Sequence, residues 1–502
     1  MVKPSRSDIG LVLGPVCFLF LLLIPPPQGM PPQALHTAAV AALMAIWWIT
    51  EALPVPVTAL LPIVLFPLLG VVDAAKVTQS YAHHLIYLFM GGFLIAVTVE
   101  KWNLHRRIAL YAIRLVGVTP DRIILGFMLA TAFLSMWISN TAAAMMMVTI
   151  GLAVLRRISG PLTAPSLKNA GDAGMGYSRF GVALMLGIAY SASIGGVATL
   201  IGTPPNAIFA GVVEKTFGHS IGFAEWIVFG LPLSVCMLII TWLYLTKIAF
   251  RSGIEHLPGS RETIGREIAQ LGPMSKQEKR VLLVFSLVAL LWILRGVVNI
   301  AALKMIEDST IAISGALLLF IIPADFSKRE FLLDWKTALT IPWDVLILFG
   351  GGFALAQAFS ETGLTSYLAQ WLSVLQGMNV LIIVLSVALF VIFLTEVTSN
   401  TATASITLPV MAALAEAVGV HPYGVMVTAA LAASFAFMLP VATPPNAIVY
   451  GSHYVSIPQM AKAGVWLNII GIVLISLFVF TLLPLVWHIN ITVFPTDFIP
   501  AK

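Results

Sequence analysis

The stretches Ser135-Met136-Trp137-Ile138-Ser139-Asn140-Thr141 and Thr395-Glu396-Val397-Thr398-Ser399-Asn400-Thr401 decide how this chain folds. Each sets a Ser-Asn-Thr triplet near the middle of a long apolar run, residues about 121–155 and 376–415. Ser, Asn and Thr compete with the helical backbone for its hydrogen bonds, so each triplet breaks a helix at mid-depth. A second breaker follows each one: Thr203-Pro204-Pro205-Asn206 and Thr443-Pro444-Pro445-Asn446. There the prolines remove N–H donors and push the preceding Thr out of the α region. A duplicated pair of breakers in otherwise apolar sequence marks a binding site built between two repeats.

Composition places that site in a bilayer. Of 502 residues, 59% are hydrophobic and 10% charged, and the mean hydropathy is +0.98. A soluble domain carries roughly 25% charged residues, so this chain has no ordinary wet surface. Lipid requires backbone groups to be satisfied within the segment, and the apolar runs are long and continuous, which selects helices over a β-barrel. The expected fold class is an all-α polytopic membrane protein. Spans are predicted at about 8–26, 36–52, 55–72, 83–101, 181–214, 225–248, 280–298, 308–323, 343–361, 424–451 and 463–488, about eleven transmembrane helices. The first follows Lys3 and Arg6 and precedes Pro25-Pro26-Pro27 without a small-residue cleavage pattern, so it reads as a retained helix. The net charge of +5 comes from Lys and Arg in short loops, where it sets topology; no nucleic-acid partner is indicated. Cys17 and Cys236 lie inside apolar runs and suggest neither a disulfide nor a metal.

Charge decides how the two interrupted runs sit. Lys101, Arg106, Arg107, Arg114 and Arg122 precede the first, and Arg156, Arg157, Lys168 and Arg179 follow it. The positive-inside rule puts both its ends in the cytoplasm, so it enters and returns as a re-entrant hairpin. The second lies between Glu361 and Glu416 in a region without Lys or Arg, and is a hairpin of opposite sense. The N-terminus is expected inside and the C-terminus outside.

Arithmetic supports the repeat. Leu88-Phe89 and Gly91-Gly92-Phe93 match Leu348-Phe349 and Gly351-Gly352-Phe353 at an offset of 260, and the hairpins agree, 399 − 139 = 260. The Pro-Pro-Asn pair gives 444 − 204 = 240, so the first half carries about twenty extra residues, placed in the Ser-, Gly-, Pro- and Ala-rich stretch 156–177. Leu104–Val116 reads as an interfacial helix, mirrored by 364–375. Matching units of opposite sense form an inverted-topology repeat.

Each hairpin tip exposes carbonyls ending one arm and N–H groups starting the next. Carbonyl, hydroxyl and amide oxygens form a nest for a small alkali cation, while the N–H ends suit a carboxylate. No Lys or Arg occurs from Ile123 to Leu155, Gly181 to Val213 or Thr362 to Met460. A dianion there needs co-bound cations, because helix ends return only about 0.3–2 kcal/mol each. Sodium is favoured over protons, since both nests offer neutral oxygens and only Glu396 can titrate nearby.

Other residues carry blander readings. Glu396, whose counterpart by the 260 offset is Met136, is either functional or a hydrogen-bonded structural carboxylate. His83 and His84 read as solvated interfacial histidines and Met145, Met146 and Met147 as packing of a hairpin arm. Gly91-Gly92 and Gly350-Gly351-Gly352 read as close helix contacts. A hydrolase would need an activated nucleophile, which neither hairpin serine has in its motif, so no enzyme is expected. A channel would need a continuous polar lining, whereas two opposed hairpins imply a centrally occluded site.

The two Ser-Asn-Thr tips, the two Pro-Pro-Asn breaks and Trp47-Trp48-Ile49-Thr50-Glu51-Ala52-Leu53-Pro54 together resemble the divalent anion/sodium symporters over nearly the whole chain. The resemblance implies one sodium site at Ser135, Ser139, Asn140 and the backbone of Gly202, and a second at Thr395, Ser399, Asn400 and the backbone of Ala442. It implies substrate contacts from Asn140, Thr141, Thr203, Asn400, Thr401 and Thr443. It further implies a homodimer whose hairpin-bearing transport domain slides as an elevator against a scaffold. On that basis residues 1–120 form scaffold and interfacial helices and 121–250 the first hairpin and broken helix. Residues 251–375 form a cytoplasmic connection and further scaffold helices, and 376–502 the second hairpin, broken helix and last helix. The function expected is sodium-coupled import of a C4-dicarboxylate such as succinate, malate or fumarate across the cell membrane of a bacterium. A citrate or sulfate carrier, or a dicarboxylate exchanger, is the alternative.

Overall fold

A computed structural model describes residues 5–117, 119–159, 171–254, 260–298 and 305–498. The first half runs through α1 (Arg6–Leu23), α2 (Pro32–Thr50), α3 (Val55–Thr58), α4 (Leu61–Leu68), α5 (Ala74–Ser80), α6 (His84–Lys101) and α7 (Leu104–Val116). It continues with α8 (Pro120–Ser135), α9 (Asn140–Ser159), α10 (Gly171–Gly196), α11 (Pro204–Phe217) and α12 (Phe223–Leu243), which ends in a π-helical turn, Tyr244–Ala249. After α13 (Ser260–Leu271), α14 (Lys276–Val297) and α15 (Asp308–Ile321) comes a small antiparallel hairpin of β1 (Pro323–Asp325) and β2 (Glu330–Phe331). The second half follows as α16 (Trp335–Ala338), α17 (Trp343–Glu361), α18 (Leu364–Leu372), α19 (Val380–Thr395), α20 (Asn400–Val418), α21 (Pro422–Ala432), α22 (Pro444–Gly451) and α23 (Ile457–Trp487).

Eight helices among the described residues are long and apolar enough to cross a bilayer, one of them the hairpin arm Asn400–Val418. Shorter apolar helices over Val55–Leu68, Asp308–Ile321 and Pro422–Ala432 occupy three of the other predicted crossings. The stretch 55–72 departs most from expectation. It forms α3 and α4 in place of one span, because Pro54, Pro56, Pro62 and Pro67 withhold donors and the chain turns at Ala59-Leu60. The predicted insertion at 156–177 falls largely outside the described residues.

The two halves pack alike. In each half the first hairpin arm and the second arm lie on the helix that precedes the break: α8 and α9 on α10, α19 and α20 on α21. The helix after each break then crosses to the other half, α11 packing on α20 and α22 on α9. That exchange brings two sites more than two hundred residues apart into one body. The glycine pairs serve close approach: a Cβ on Gly91 would stand 2.6 Å from the Ala312 backbone, and one on Gly351 2.5 Å from the Ala59 carbonyl. The halves also differ, since α7 packs on the first hairpin arm α8 whereas α18 packs on the second arm α20.

α7 is amphipathic, burying Leu104, Ala109, Leu110 and Ile113. It also buries Arg107, whose guanidinium donates to Glu278 at 2.7 Å and to the Gly272 carbonyl at 3.0 Å. Burial alone would raise the Glu278 carboxyl, but the hydrogen bonds from Arg107 and Ser275 outweigh it and hold the group below its usual range. Ser275 and Glu278 also close a capping box at the start of α14, so one carboxylate ties α7 to that helix.

Candidate functional site

Both tips are built alike. Ser139 and Ser399 accept the backbone N–H of Ala142 (3.2 Å) and Ala402 (3.1 Å), so each serine caps the second arm and Asn140 and Asn400 open it. One turn before each tip stands a buried hydroxyl. Ser135 Oγ lies 2.7 Å from the Ala192 carbonyl and 2.5 Å from Asn140 Oδ1; Thr395 Oγ1 lies 2.9 Å from the Ala433 carbonyl and 2.8 Å from Asn400 Oδ1. The Thr395 hydroxyl has one proton, shared between its two acceptors. At the first tip the Asn140 amide, with its NH2 turned inward, faces the Gly202 and Ala192 carbonyls, each at 3.2 Å, and Ser135 Oγ. In that orientation the first tip satisfies its own polar groups, Ser135 Oγ donating to the Ala192 carbonyl while the amide serves the Gly202 carbonyl. Ser135, Asn140, Gly202, Thr395 and Asn400 thus gather neutral hydroxyl, amide and carbonyl groups at the two tips, donor types of the kind from which an alkali-ion site is built.

The breaks are held by the asparagines of the Pro-Pro-Asn motifs, a role the sequence reading did not assign. Asn206 Nδ2 donates to the carbonyls of Thr199 (2.8 Å), Val197 (3.3 Å) and Gly196 (3.4 Å), and Asn446 Nδ2 to those of Ala436 and Leu439 (3.1 Å each). Both side chains are fully buried, and their recurrence three residues after each Thr was the available signal. Glycine is required where the first break folds back, since a Cβ on Gly202 would stand 2.4 Å from the Gly196 carbonyl. The threonines differ. Thr443 Oγ1 accepts the Asn446 N–H at 3.3 Å as a helix cap, whereas the Thr203 side chain makes no cap bond.

Glu396 is committed to the second break. Its Oε1 accepts the N–H groups of Phe437 (2.7 Å) and Met438 (2.9 Å) and Asn468 Nδ2 (2.7 Å), and its Oε2 accepts Leu439 N–H (3.1 Å). Three successive backbone donors on one carboxylate make an anion nest. In the first half Met136 cannot do this; instead Thr199 Oγ1 donates to the Met136 carbonyl at 2.6 Å. A neutral bond therefore stands where the second half keeps a buried negative charge.

Between the two breaks lies a cavity of about 660 Å³ lined by Ser139, Asn140, Thr141, Gly202, Thr203, Ser399, Asn400, Thr401, Ala442 and Thr443. Ten of the twelve predicted site residues thus share one wall, and the other two, Ser135 and Thr395, sit behind the tips against Asn140 and Asn400. No Lys or Arg lines the cavity among the described residues, but Glu100 and Asp344 do, together with Thr340 and Pro342. The sequence reading missed these two carboxylates, which stand at helix ends and carry no local motif. The nearest cation to either tip that the hydrogen bonds record is Arg6, which donates to the Val397 carbonyl at 2.8 Å and to that of Ile49, outside the cavity lining.

Paired hairpins and broken helices around a central cavity define a class of membrane transporter fold, and solved structures share it at 12% identity. The MtrF protein of Neisseria gonorrhoeae, described among antimetabolite efflux pumps, superposes with a TM-score of 0.59 over 96% of both chains. The YdaH transporter of Alcanivorax borkumensis gives 0.55 over 83% of this chain and 90% of that one. Residues 6–489 match the family described as the sodium:sulfate symporter transmembrane region, and the chain belongs to that family. Its relatives include the sodium-dependent dicarboxylate transporter SdcS of Staphylococcus saprophyticus, 45% identical over 96% of this chain and 93% of that protein. The SdcS protein of Staphylococcus aureus is 46% identical over 97% and 94%.

Proposed function

We propose that this protein is a sodium-coupled symporter that imports C4-dicarboxylates such as succinate, malate or fumarate. The observation that carries this reading is a cavity lined by both Ser-Asn-Thr tips and both Pro-Pro-Asn breaks, with two carboxylates and no cationic side chain among its described walls. A dianion entering there is repelled by the fixed charge, so co-bound cations are a condition of its binding. The relatives named for sodium-dependent dicarboxylate transport support both the ion and the substrate.

In this reading Ser135, Ser139, Asn140 and the Gly202 carbonyl hold one sodium ion, and Thr395, Ser399, Asn400 and the Ala442 carbonyl the other. Asn140, Thr141, Thr203, Asn400, Thr401 and Thr443 meet the substrate carboxylates. No residue acts as a catalyst. The units 121–250 and 376–502 form a transport domain that slides as an elevator against 1–120 and 251–375, the two halves being inverted repeats. The chain sits in the bacterial cell membrane as a homodimer, its N-terminus cytoplasmic and its C-terminus outside. Thr340 and Asp344 follow the basic loop of Lys328, Arg329 and Lys336, so a cavity bordered by them opens inward.

Uptake of radiolabelled succinate into proteoliposomes tests this directly. It should require an inward sodium gradient and rise with an inside-negative potential; equal uptake in sodium and choline would refute it. Competition by unlabelled citrate or sulfate as strong as by malate would transfer the assignment to the alternative substrates.

A further inference from the structure

The transport reading leaves one cluster unused. His83 and His84 open α6, and Glu214 stands in the last turn of α11. His84 Nε2 lies 2.8 and 3.0 Å from the two Glu214 oxygens, and His83 Nε2 lies 3.6 Å from the nearer one. The His83 ring is buried, packed on His84 (4.6 Å between centroids) and on Phe353 (5.0 Å), which fixes its direction. The side chains of His84 and Glu214 are 35% and 26% exposed, so water reaches the group from one side.

We infer that His83, His84 and Glu214 form a binding site for a divalent d-block cation, zinc above all, that ties α6 to α11. Two imidazole nitrogens and one carboxylate oxygen with an open side are the donor set of a four-coordinate zinc ion. Magnesium and calcium prefer oxygen shells and are disfavoured by the two nitrogens. The three ligand atoms already lie within 4.8 Å of one another. Tetrahedral zinc at 2.0–2.1 Å needs separations of roughly 3.3 Å, so the widest gap closes by at most about 1.5 Å, within reach of rotation of the two exposed side chains. Ligation through Nε2 replaces the His84 hydrogen bond to Glu214 with the metal bridge and gives up the contact from Leu85 N–H to His83 Nδ1, which is long at 3.4 Å. In the metal-free state the proton on His84 Nε2 does a weaker version of the same work, bridging the helices through Glu214. The arrest of transport described next rests on the proposed sliding of 121–250 against 1–120; metal binding itself does not.

Calorimetric titration of the purified full chain with zinc, without sodium or dicarboxylate, should show one saturable site that magnesium leaves empty. His84→Ala and Glu214→Gln should each weaken it by at least about tenfold. Zinc K-edge absorption of the unmodified protein, which needs no variant to fold, should show a nitrogen and oxygen shell with two imidazoles. No saturable binding, undiminished binding in both variants, or a shell with sulfur or a single imidazole would each overturn the site. Sodium-driven succinate uptake should fall in zinc and recover on adding a chelator, and the same zinc should leave the two variants unaffected. Zinc held by two imidazoles with uptake unchanged would overturn the bridging role. Absence of sodium-dependent uptake in the zinc-free protein would count against the transport reading alone and leave the binding result standing.

Discussion

Glu396→Gln isolates the asymmetry between the two proposed cation nests. Glutamine keeps the volume and one oxygen, which can still accept the N–H groups of Phe437 and Met438 and the Asn468 amide, all of which meet Oε1. Its NH2 then replaces Oε2 and faces Leu439 N–H, donor against donor, at a contact that was 3.1 Å. The loss is one charge-assisted hydrogen bond plus the negative charge, about 1.5–3 kcal/mol for the bond. The strained segment leads within three residues to Ala442, whose carbonyl belongs to the proposed second nest. If that cost falls on cation binding, half-saturating sodium should rise roughly ten- to 150-fold. Succinate uptake by Glu396→Gln proteoliposomes, titrated with sodium, should show this rise with maximal rate recovering at high sodium. Met136→Leu, at the equivalent position of the first half, should leave the curve in place. A Glu396→Gln curve that superposes on the unmodified one at normal maximal rate would refute the argument that the carboxylate supports the second nest.

Further outcomes follow from the same geometry. Asn140→Ala and Asn400→Ala should each abolish sodium-driven uptake while the protein still elutes as a folded species on size exclusion, because each removes the amide that joins a nest to the cavity. Thr203→Ala should raise half-saturating succinate by roughly ten- to hundredfold without changing thermal stability. Thr443→Ala should do so and also lower stability by about 1 kcal/mol, since it loses the cap on Asn446 N–H that Thr203 does not make. Arg107→Ala should destabilise the protein by about 3–5 kcal/mol in denaturant unfolding, by stranding the buried Glu278 carboxylate. Asp334 is held down to about 2 from its ordinary 3.8, chiefly by the Lys101 hydrogen bond at 2.6 Å. Because its folded value is depressed, its contribution is complete above 3.8 and is lost as pH falls toward 2, so Asp334→Asn should lower the melting temperature at neutral pH and converge with the unmodified protein in acid.

What could be read from the sequence was what backbone chemistry writes locally. A Ser-Asn-Thr inside an apolar run and a Thr-Pro-Pro each break a helix whatever surrounds them, which is why α8 stops at Ser135, α11 starts at Pro204, and the second half does the same at Thr395 and Pro444. The repeat offsets needed only that the breakers recur, and the structure then returned the same hydroxyl-to-carbonyl bond at both tips, Ser135 to Ala192 and Thr395 to Ala433. Contacts between distant segments left no such mark. Glu100 and Asp344 line one cavity from helices whose sequences show only ordinary charged ends. Arg107, expected in an interfacial helix, is buried because a carboxylate 171 positions away waits for it. His83 and His84 read as solvated until the end of α11 was laid beside them.

The same distinction explains where the two-fold symmetry holds and where it fails. On the proposed two-site reading the tips and breaks match in both halves because each nest needs a hydroxyl, an amide oxygen and a freed carbonyl in the same relation. The surroundings are not so constrained: once the second break is pinned by Glu396 and the first by Thr199, the halves reach one geometry by different charges. If the two nests bind sodium as proposed, an unequal pair is what coupling favours, since the nest beside a buried negative charge would attract a cation without the substrate, while its neutral partner would gain most from a dianion arriving beside it. In the proposed two-site scheme a single side chain outside the cavity lining would then set the order of binding, and Glu396→Gln is the substitution that should make the two nests alike.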